Sequence, residues 1–438
     1  MSHLISRRTL LKGSLGLAAG ASSLVSGGKA FATEVSALPK ALTGDAVSNA
    51  KNEKYWHQIA NQFKLSPDFI NLENGYYGIL PKPVLAEYQR NIAKLNESNS
   101  FYLRQNYTSD ADKIRAQIAS LVGVSPEEIA LTRGATESLQ NLITNYRRLK
   151  PGDTVLYSDV DYDGAQDNID FLKESRGANI VKITLPEPAT YQAIIDTYSQ
   201  AFDNNPQTRF LLLTHISHKN GLIIPVGEIA RIAKAKGIDV LVDAAHSWGQ
   251  IDFKIPDLNV DFGAFTLHKW IGAPLGLGFI YIRKERLADI HPHLVTETHQ
   301  SDDIRSRVHT GTTNTANVLT IPAALAFHQS IGIENKAARL RYLRDYWVSR
   351  AKEIKGIEII TPDDPRLYGA ITSFRLTGKT SKEDNQALAK RLREQYGIFT
   401  VARGGLNSGD SVRVTPAIFT KTHDLDHFVA ALKQIVQA

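Results

Sequence analysis

The sequence predicts an α/β protein: a large domain on a mostly parallel, seven-stranded sheet, then a smaller C-terminal α+β domain. Two observations predict it. Seven short apolar runs are separated by stretches long enough for crossover helices, and several of those stretches are amphipathic with helical periodicity. Beyond about residue 310 the pattern changes to a long helix-rich stretch followed by shorter strands. At 438 residues, 42% hydrophobic and 22% charged, the chain is long and apolar enough for a large buried core.

The strand-like runs are Glu128–Thr132, Thr154–Ser158, Ile180–Thr184, Phe210–Thr214, Val240–Asp243, Phe262–Thr266 and Gly278–Arg283. Amphipathic stretches between them include Asp112–Leu121, Glu137–Arg147 and Val226–Lys236. The C-terminal part opens with Ala316–Lys355, helix-rich throughout. Strands at Glu358–Thr361, Ala370–Leu376, Thr400–Ala402 and Val412–Thr415 follow, with helices near Lys382–Gln395 and Asp424–Gln437. The expected organisation is a large domain over 69–310 and a small one over 311–438. A linker or extension covers 33–68, and its small, polar residues 33–53 read as flexible.

The first 32 residues read as an address. Arg7 and Arg8 precede a mildly apolar run from Leu10 to Val25, and Ala30-Phe31-Ala32 has the small-x-small cleavage pattern. The run is too short and too polar to span a bilayer. Ser6-Arg7-Arg8-Thr9-Leu10-Leu11-Lys12 resembles the twin-arginine export motif, so the expectation is a periplasmic or secreted protein handled by the twin-arginine machinery, with no stable membrane anchor. Without this segment Lys+Arg falls from 51 to 47 against an unchanged Asp+Glu of 45, and the net charge falls from +6 to +2. The basicity belongs to the signal and gives no reason to expect nucleic-acid binding. The chain has no cysteine, and its one methionine is Met1. Disulfides, thiolate metal sites and a cysteine nucleophile are excluded.

Three segments carry chemistry. In Ile129-Ala130-Leu131-Thr132-Arg133-Gly134-Ala135-Thr136, a strand turns through Gly134 into a helix, whose N-terminus with Ala135 and Thr136 makes a phosphate cradle. In Val240-Leu241-Val242-Asp243-Ala244-Ala245-His246, an apolar strand delivers Asp243 to its C-terminal end, where open α/β sheets bind ligands. In Phe265-Thr266-Leu267-His268-Lys269-Trp270, a lysine follows the tip of an apolar strand, where desolvation can free it to act as an imine-forming nucleophile. Each segment alone has an ordinary alternative: a capped helix start, a capping aspartate, a surface lysine.

In order and spacing, with the lysine 26 positions after the aspartate, they resemble the class V branch of fold-type I pyridoxal-phosphate enzymes. Within it the resemblance is to isopenicillin-N-epimerase-like and cysteine-desulfurase-like proteins, and it runs from about Ile70 to the C-terminus. It implies pyridoxal 5'-phosphate as cofactor and Lys269 as the Schiff-base lysine and later proton carrier. It makes Asp243 the partner of the pyridine nitrogen, His246 the contact to the phenolic oxygen, and Tyr162 the aromatic on the ring. Gly134, Ala135, Thr136, Thr266 and His268 would hold the phosphate. His218 stands where desulfurase-like members usually have Asn, which puts its cofactor contact in doubt. Gly311 and Thr312, in His309-Thr310-Gly311-Thr312-Thr313-Asn314-Thr315, resemble the loop that reaches the neighbouring subunit's phosphate, which implies a homodimer with shared sites. Arg413 matches the arginine that grips a substrate α-carboxylate, and Asn74 with Gly75 match the N-terminal active-site segment.

The expected activity is therefore chemistry at the Cα of an amino acid or an amino-acid-like group: epimerisation, transamination, elimination including C–S cleavage, or oxidative decarboxylation of a secreted peptide. A self-sufficient cysteine desulfurase is not expected, because the chain has no thiol to accept sulfur. Two other readings stand beside it. One is a periplasmic binding protein that keeps the fold without catalysis. The other is a metal hydrolase using His215, His218, His246 and His268, although no recognised zinc spacing accompanies them. Tyr76, Tyr77, Tyr102, Arg104, Trp248 and Trp270 are candidates for the mouth of the site.

Overall fold

The computed structural model describes residues 39–293 and 299–437. The expected export signal over 1–32 lies outside those residues. The description begins where a flexible linker was expected, and there the expectation fails. Two helices, Ala46–Asn49 and Glu53–Ala60, occupy the segment, capped by Asp45 and Asn52. Trp56 is buried and donates its indole N–H to the Asn49 carbonyl at 2.9 Å. Arg339 donates to Glu53 and lies over the Trp56 ring, 5.5 Å from its centroid. The polar composition of 33–53 hides this packing, because the buried side chains that anchor it, Tyr55, Trp56, Ile59 and Ala60, come just after that stretch.

Strand β1 (Ile70–Asn71) comes next, then strands β2 (Ile129–Thr132), β3 (Thr154–Ser158), β4 (Asn179–Ile183), β5 (Thr208–Thr214), β6 (Asp239–Asp243), β7 (Phe262–Thr266) and β8 (Gly278–Ile282). The last seven form one sheet in the order β2-β8-β7-β6-β5-β3-β4. Neighbours from β7 through β4 pair in parallel, and β8 runs against both β7 and β2. Both faces are covered. In β5, Leu211 and Leu213 join one hydrophobic cluster and Phe210 and Leu212 the other. This two-sided burial is why the strands read as continuous apolar runs rather than alternating ones.

The C-terminal part adds β9 (Ile357–Ile359), β10 (Thr372–Leu376), β11 (Ile398–Phe399), β12 (Val401–Arg403) and β13 (Ser411–Val414). Four of these form an antiparallel sheet in the order β12-β13-β10-β9 over a core centred on Trp347, Phe374 and Phe428. The helix-rich stretch before them is two helices, Thr315–Ile331 and Ile333–Ala351, bent by 73° around Gly332. No single described helix is long and apolar enough to cross a membrane.

Two features escape the sequence reading. The helix Lys82–Gln105 is 24 residues long and packs on Thr315–Ile331, partly through Asn91 donating to Thr320 at 3.0 Å. Few of its residues are buried, so its apolar stripe is faint. The segment expected to open the large domain also pairs elsewhere: β1 lies parallel to β11, and Leu72 belongs to the C-terminal core. The N-terminal segment thereby binds the C-terminal region to the edge of the large sheet.

Trp56→Ala is expected to cost about 3–5 kcal/mol of stability in urea denaturation. An unchanged midpoint would show that the 46–60 segment is not part of the cooperative fold.

Candidate active site

Strands β5, β6 and β7 run in parallel, so Thr214, Asp243 and Thr266 all emerge at one sheet edge. A cavity of about 310 Å³ opens there. It brings together Gly75, Gly134, Ala135, Thr136, Tyr162, His218, Asp243, His246, Thr266, His268, Lys269 and Arg413 from the residues singled out in the sequence. Asn74 lies behind the cavity wall, donating to the Thr415 and Asn71 carbonyls at 2.9 and 3.0 Å. Gly311 and Thr312 are exposed and do not line this cavity. Tyr76 and Tyr77 do line the mouth. Tyr102 is buried elsewhere on Asp110 at 2.8 Å, and Trp248 packs in the core on Phe279.

Lys269 follows the short turn after β7. Gly78 sets its backbone position: its N–H donates to the His268 carbonyl at 2.9 Å, and any Cβ at residue 78 would collide with the Lys269 carbonyl oxygen. Nζ of Lys269 lies 3.0 Å from Nε2 of His246. Burial brings the amine down to about 8; Arg413 and Arg403 push it the same way, and Asp243 opposes them. Burial likewise holds His246 well below the ordinary imidazole value, with the charges of Lys269 and Arg413 adding to it. Asp243 is buried and accepts from the Ala245 N–H at 2.9 Å; burial raises its carboxyl above the usual range.

The Gly134 turn brings a helix start to the cavity. The helix Ala135–Thr144 starts at the cavity, and the Ala135 N–H donates to Thr266 Oγ1 at 3.2 Å. Gly278 on β8 passes so close beneath that a Cβ there would come within 2.6 Å of the Gly134 Cα. His268 turns its Nδ1 to the Leu277 carbonyl, 3.1 Å away, and burial brings it down to about 4. On the opposite wall Tyr162 meets His218 edge-on, with ring centroids 5.5 Å apart. His218 faces Asp163 at 3.4 Å, and burial brings it to about 4. The four histidines considered as metal ligands go to separate partners, His215 packing on Phe253.

Arg413 is buried on β13, and its guanidinium is already engaged. Nε donates to Glu73 at 3.3 Å, a second nitrogen pairs with the other Glu73 oxygen, and Nη1 donates to the His218 carbonyl at 2.7 Å. Sequence reasoning missed Glu73, which lies 340 residues from Arg413. It also missed Arg403, which lines the same cavity from β12, and Asp163, which pairs with the buried Lys219 at 2.9 Å. The one available signal for Glu73 was an acid inside an otherwise uncharged segment.

The position of Lys269 sets the sign of a pH effect. With a folded value of about 8 against 10.5 for a free lysine, the unfolded chain binds more protons at this group between those limits. Charging the amine therefore costs stability below about pH 8, and the cost is relieved as pH rises toward 10.5. Cofactor-free Lys269→Met is expected to be more stable than wild type in urea at pH 7, the gap narrowing from pH 8 upward. A gap that widens over that interval contradicts the assignment.

Residues 79–427 match the family described as Aminotransferase class-V. The chain is 26% identical over 393 residues to isopenicillin N epimerase of Streptomyces clavuligerus, covering 86% of this chain and 97% of that one. It is 27% identical over 279 residues to a probable chloroplastic L-cysteine desulfhydrase of Arabidopsis thaliana, covering 60% of this chain and 58% of that one. Among solved structures, a cysteine desulfurase from Thermococcus onnurineus NA1 superposes with a TM-score of 0.75 at 20% identity, covering 86% of this chain and 97% of that one. A cystine C–S lyase in complex with cysteine persulfide superposes with a TM-score of 0.72 at 21% identity, covering 84% and 97%. The fold is that of these fold-type I enzymes, and the matched span covers the cradle, Asp243, Lys269 and Arg413: the chain belongs to the class V aminotransferase family.

Proposed function

We propose that this chain is a pyridoxal-phosphate enzyme acting at the Cα of an amino acid or amino-acid-like group through Lys269. One observation carries the reading. A lysine amine brought down to about 8 lies 3.0 Å from an imidazole, in one cavity with a strand-end aspartate and a buried arginine.

Pyridoxal 5'-phosphate is the cofactor of the family, and the residues present fit it. Thr214 Oγ1 and His218 Nδ1 are buried without a hydrogen-bond partner in the protein, and both residues line the cavity. The helix start at Gly134–Thr136, with Thr266 and His268, suits the phosphate. Asp243 suits the ring nitrogen, His246 the phenolic oxygen, and Tyr162 with His218 the ring face. When bound, the protonated ring withdraws electrons from Cα and lowers the cost of breaking a bond there.

The chain's own residues supply the rest. Asp243, raised by burial and with no paired cation among the described residues, would be stabilised as an anion by a cationic ring nitrogen. The Lys269 amine is nucleophilic near neutral pH and takes or returns a proton at Cα. Glu73 occupies one edge of the Arg413 guanidinium and fixes its plane, leaving N–H groups for an α-carboxylate, and Arg403 adds positive charge at the same mouth.

Epimerase-type, transaminase-type and lyase-type reactions all begin with this arrangement. Similarity to isopenicillin N epimerase over most of both chains supports the first. A β-eliminating lyase is the second reading. With no cysteine in the chain, no persulfide forms on the enzyme itself: β-elimination would release the sulfur with its own substituent, as sulfide, a thiol or a small-molecule persulfide, and a desulfurase-type transfer would need another protein's thiol. The proposal also includes export, resting on Arg7-Arg8 and Ala30-Phe31-Ala32, and a homodimer. Gly311 and Thr312 are exposed and away from their own cavity, which suits a role in a neighbouring copy's site.

The purified protein is expected to absorb visible light after incubation with pyridoxal phosphate, and borohydride is expected to fix the cofactor on the peptide containing Lys269. Lys269→Ala should lose that adduct and all turnover. A colourless wild type with no affinity for the cofactor would overturn the reading in favour of a binding protein.

A further inference from the structure

His246 has two ring nitrogens and two partners. Nε2 faces Lys269 Nζ at 3.0 Å, and Nδ1 faces the indole Nε1 of Trp270 at 3.5 Å. An indole N–H donates and cannot accept. His246 is neutral here, because burial disfavours its protonation and the charges of Arg413 and Arg403 add to that. A neutral imidazole carries one proton. A proton on Nδ1 would set it against the indole N–H, donor against donor. The proton therefore belongs on Nε2, and Lys269 Nζ must be the acceptor, which it can be only as a free amine.

Trp270 is well placed to impose this. It is buried, and its backbone is held from two sides. The buried amine of Lys336 donates to the Trp270 carbonyl. The turn at Gly249 packs so tightly that a Cβ there would sit 3.1 Å from the Trp270 carbonyl carbon. Among the described residues no carboxylate pairs with His246, so nothing competes with the indole for the choice of tautomer.

We propose that Trp270 is a positioning residue: its indole N–H fixes His246 as the Nε2–H tautomer, which donates to the Lys269 amine and favours its unprotonated form. The same Nε2–H is the donor that a phenolate oxygen of the cofactor needs, so one tautomer serves both states. This goes beyond the proposed function and rests on it only for the second role.

Two measurements test it. Long-range proton–nitrogen correlation spectra of cofactor-free protein, labelled with nitrogen-15 at histidine, report the His246 tautomer, and the signal is assigned by its loss in His246→Gln. The expected pattern is Nε2–H in wild type and a shift toward Nδ1–H in Trp270→Phe, which keeps the aromatic packing and removes the donor. An Nδ1–H pattern in wild type overturns the proposal, whether or not the variant folds.

The second is the pH titration of visible absorbance after loading with pyridoxal phosphate. Trp270→Phe should shift its ionisation constant by about fivefold, the worth of one neutral hydrogen bond. In a His246→Gln background the same substitution should shift nothing, because glutamine has no tautomer to set. Equal shifts in both backgrounds would reduce Trp270 to packing. If wild type shows no cofactor absorbance, the proposed function falls, and the nitrogen spectra still decide the tautomer.

Discussion

Lys269 Nζ and His246 Nε2 lie 3.0 Å apart in surroundings that penalise positive charge on either. Two basic groups this close cannot both be protonated, and burial favours neither being so. The rest of the molecule keeps that pair together. Parallel pairing of β6 with β7 carries Asp243 and Thr266 to one edge, so the residues that follow each strand converge. Replacing that pairing by a slipped register would move every one of these groups to the wrong face.

A second constraint ties the C-terminal region to the pair. Glu73 and Arg413 are both buried and paired, and they come from opposite ends of the chain. Breaking such a pair strands a charge in a poor solvent, so each partner holds the other's segment in place. The β1–β11 pairing and the Glu73–Thr415 bridge run beside it. The fork of Arg413 is thus prearranged by a residue that belongs, in sequence, to the start of the fold. The placement of Arg413 at the site and the anchoring of the C-terminal region then depend on the same contacts.

The strands of the large sheet were legible because both of their faces are buried, which leaves short apolar runs with polar ends. Their ends pointed to Asp243 and Lys269, which the structure brings into one cavity, and the Gly134 turn pointed to the helix start. The parts that were not legible depend on distant partners. Glu73 reads as one acid among many until Arg413 folds against it. Arg403 is an ordinary strand-end arginine until β12 reaches the cavity. The helices over 46–60 hide behind polar residues, since Trp56 and the Arg339–Glu53 pair supply their anchoring. The Asn74 side chain gives its NH2 to two backbone carbonyls and lines a neighbouring cavity with Lys269, a placement that depends on Thr415 at the far end of the chain.

The central claim is that the fold brings the Lys269 amine down to about 8, so that far more of it is free near neutral pH than in an ordinary lysine. The rate at which cofactor-free protein captures pyridoxal phosphate, followed against pH by absorbance, reads the unprotonated fraction of that amine directly. The account predicts a rise with a midpoint near about 8. A midpoint near 10.5, the value of an unperturbed lysine, would contradict it.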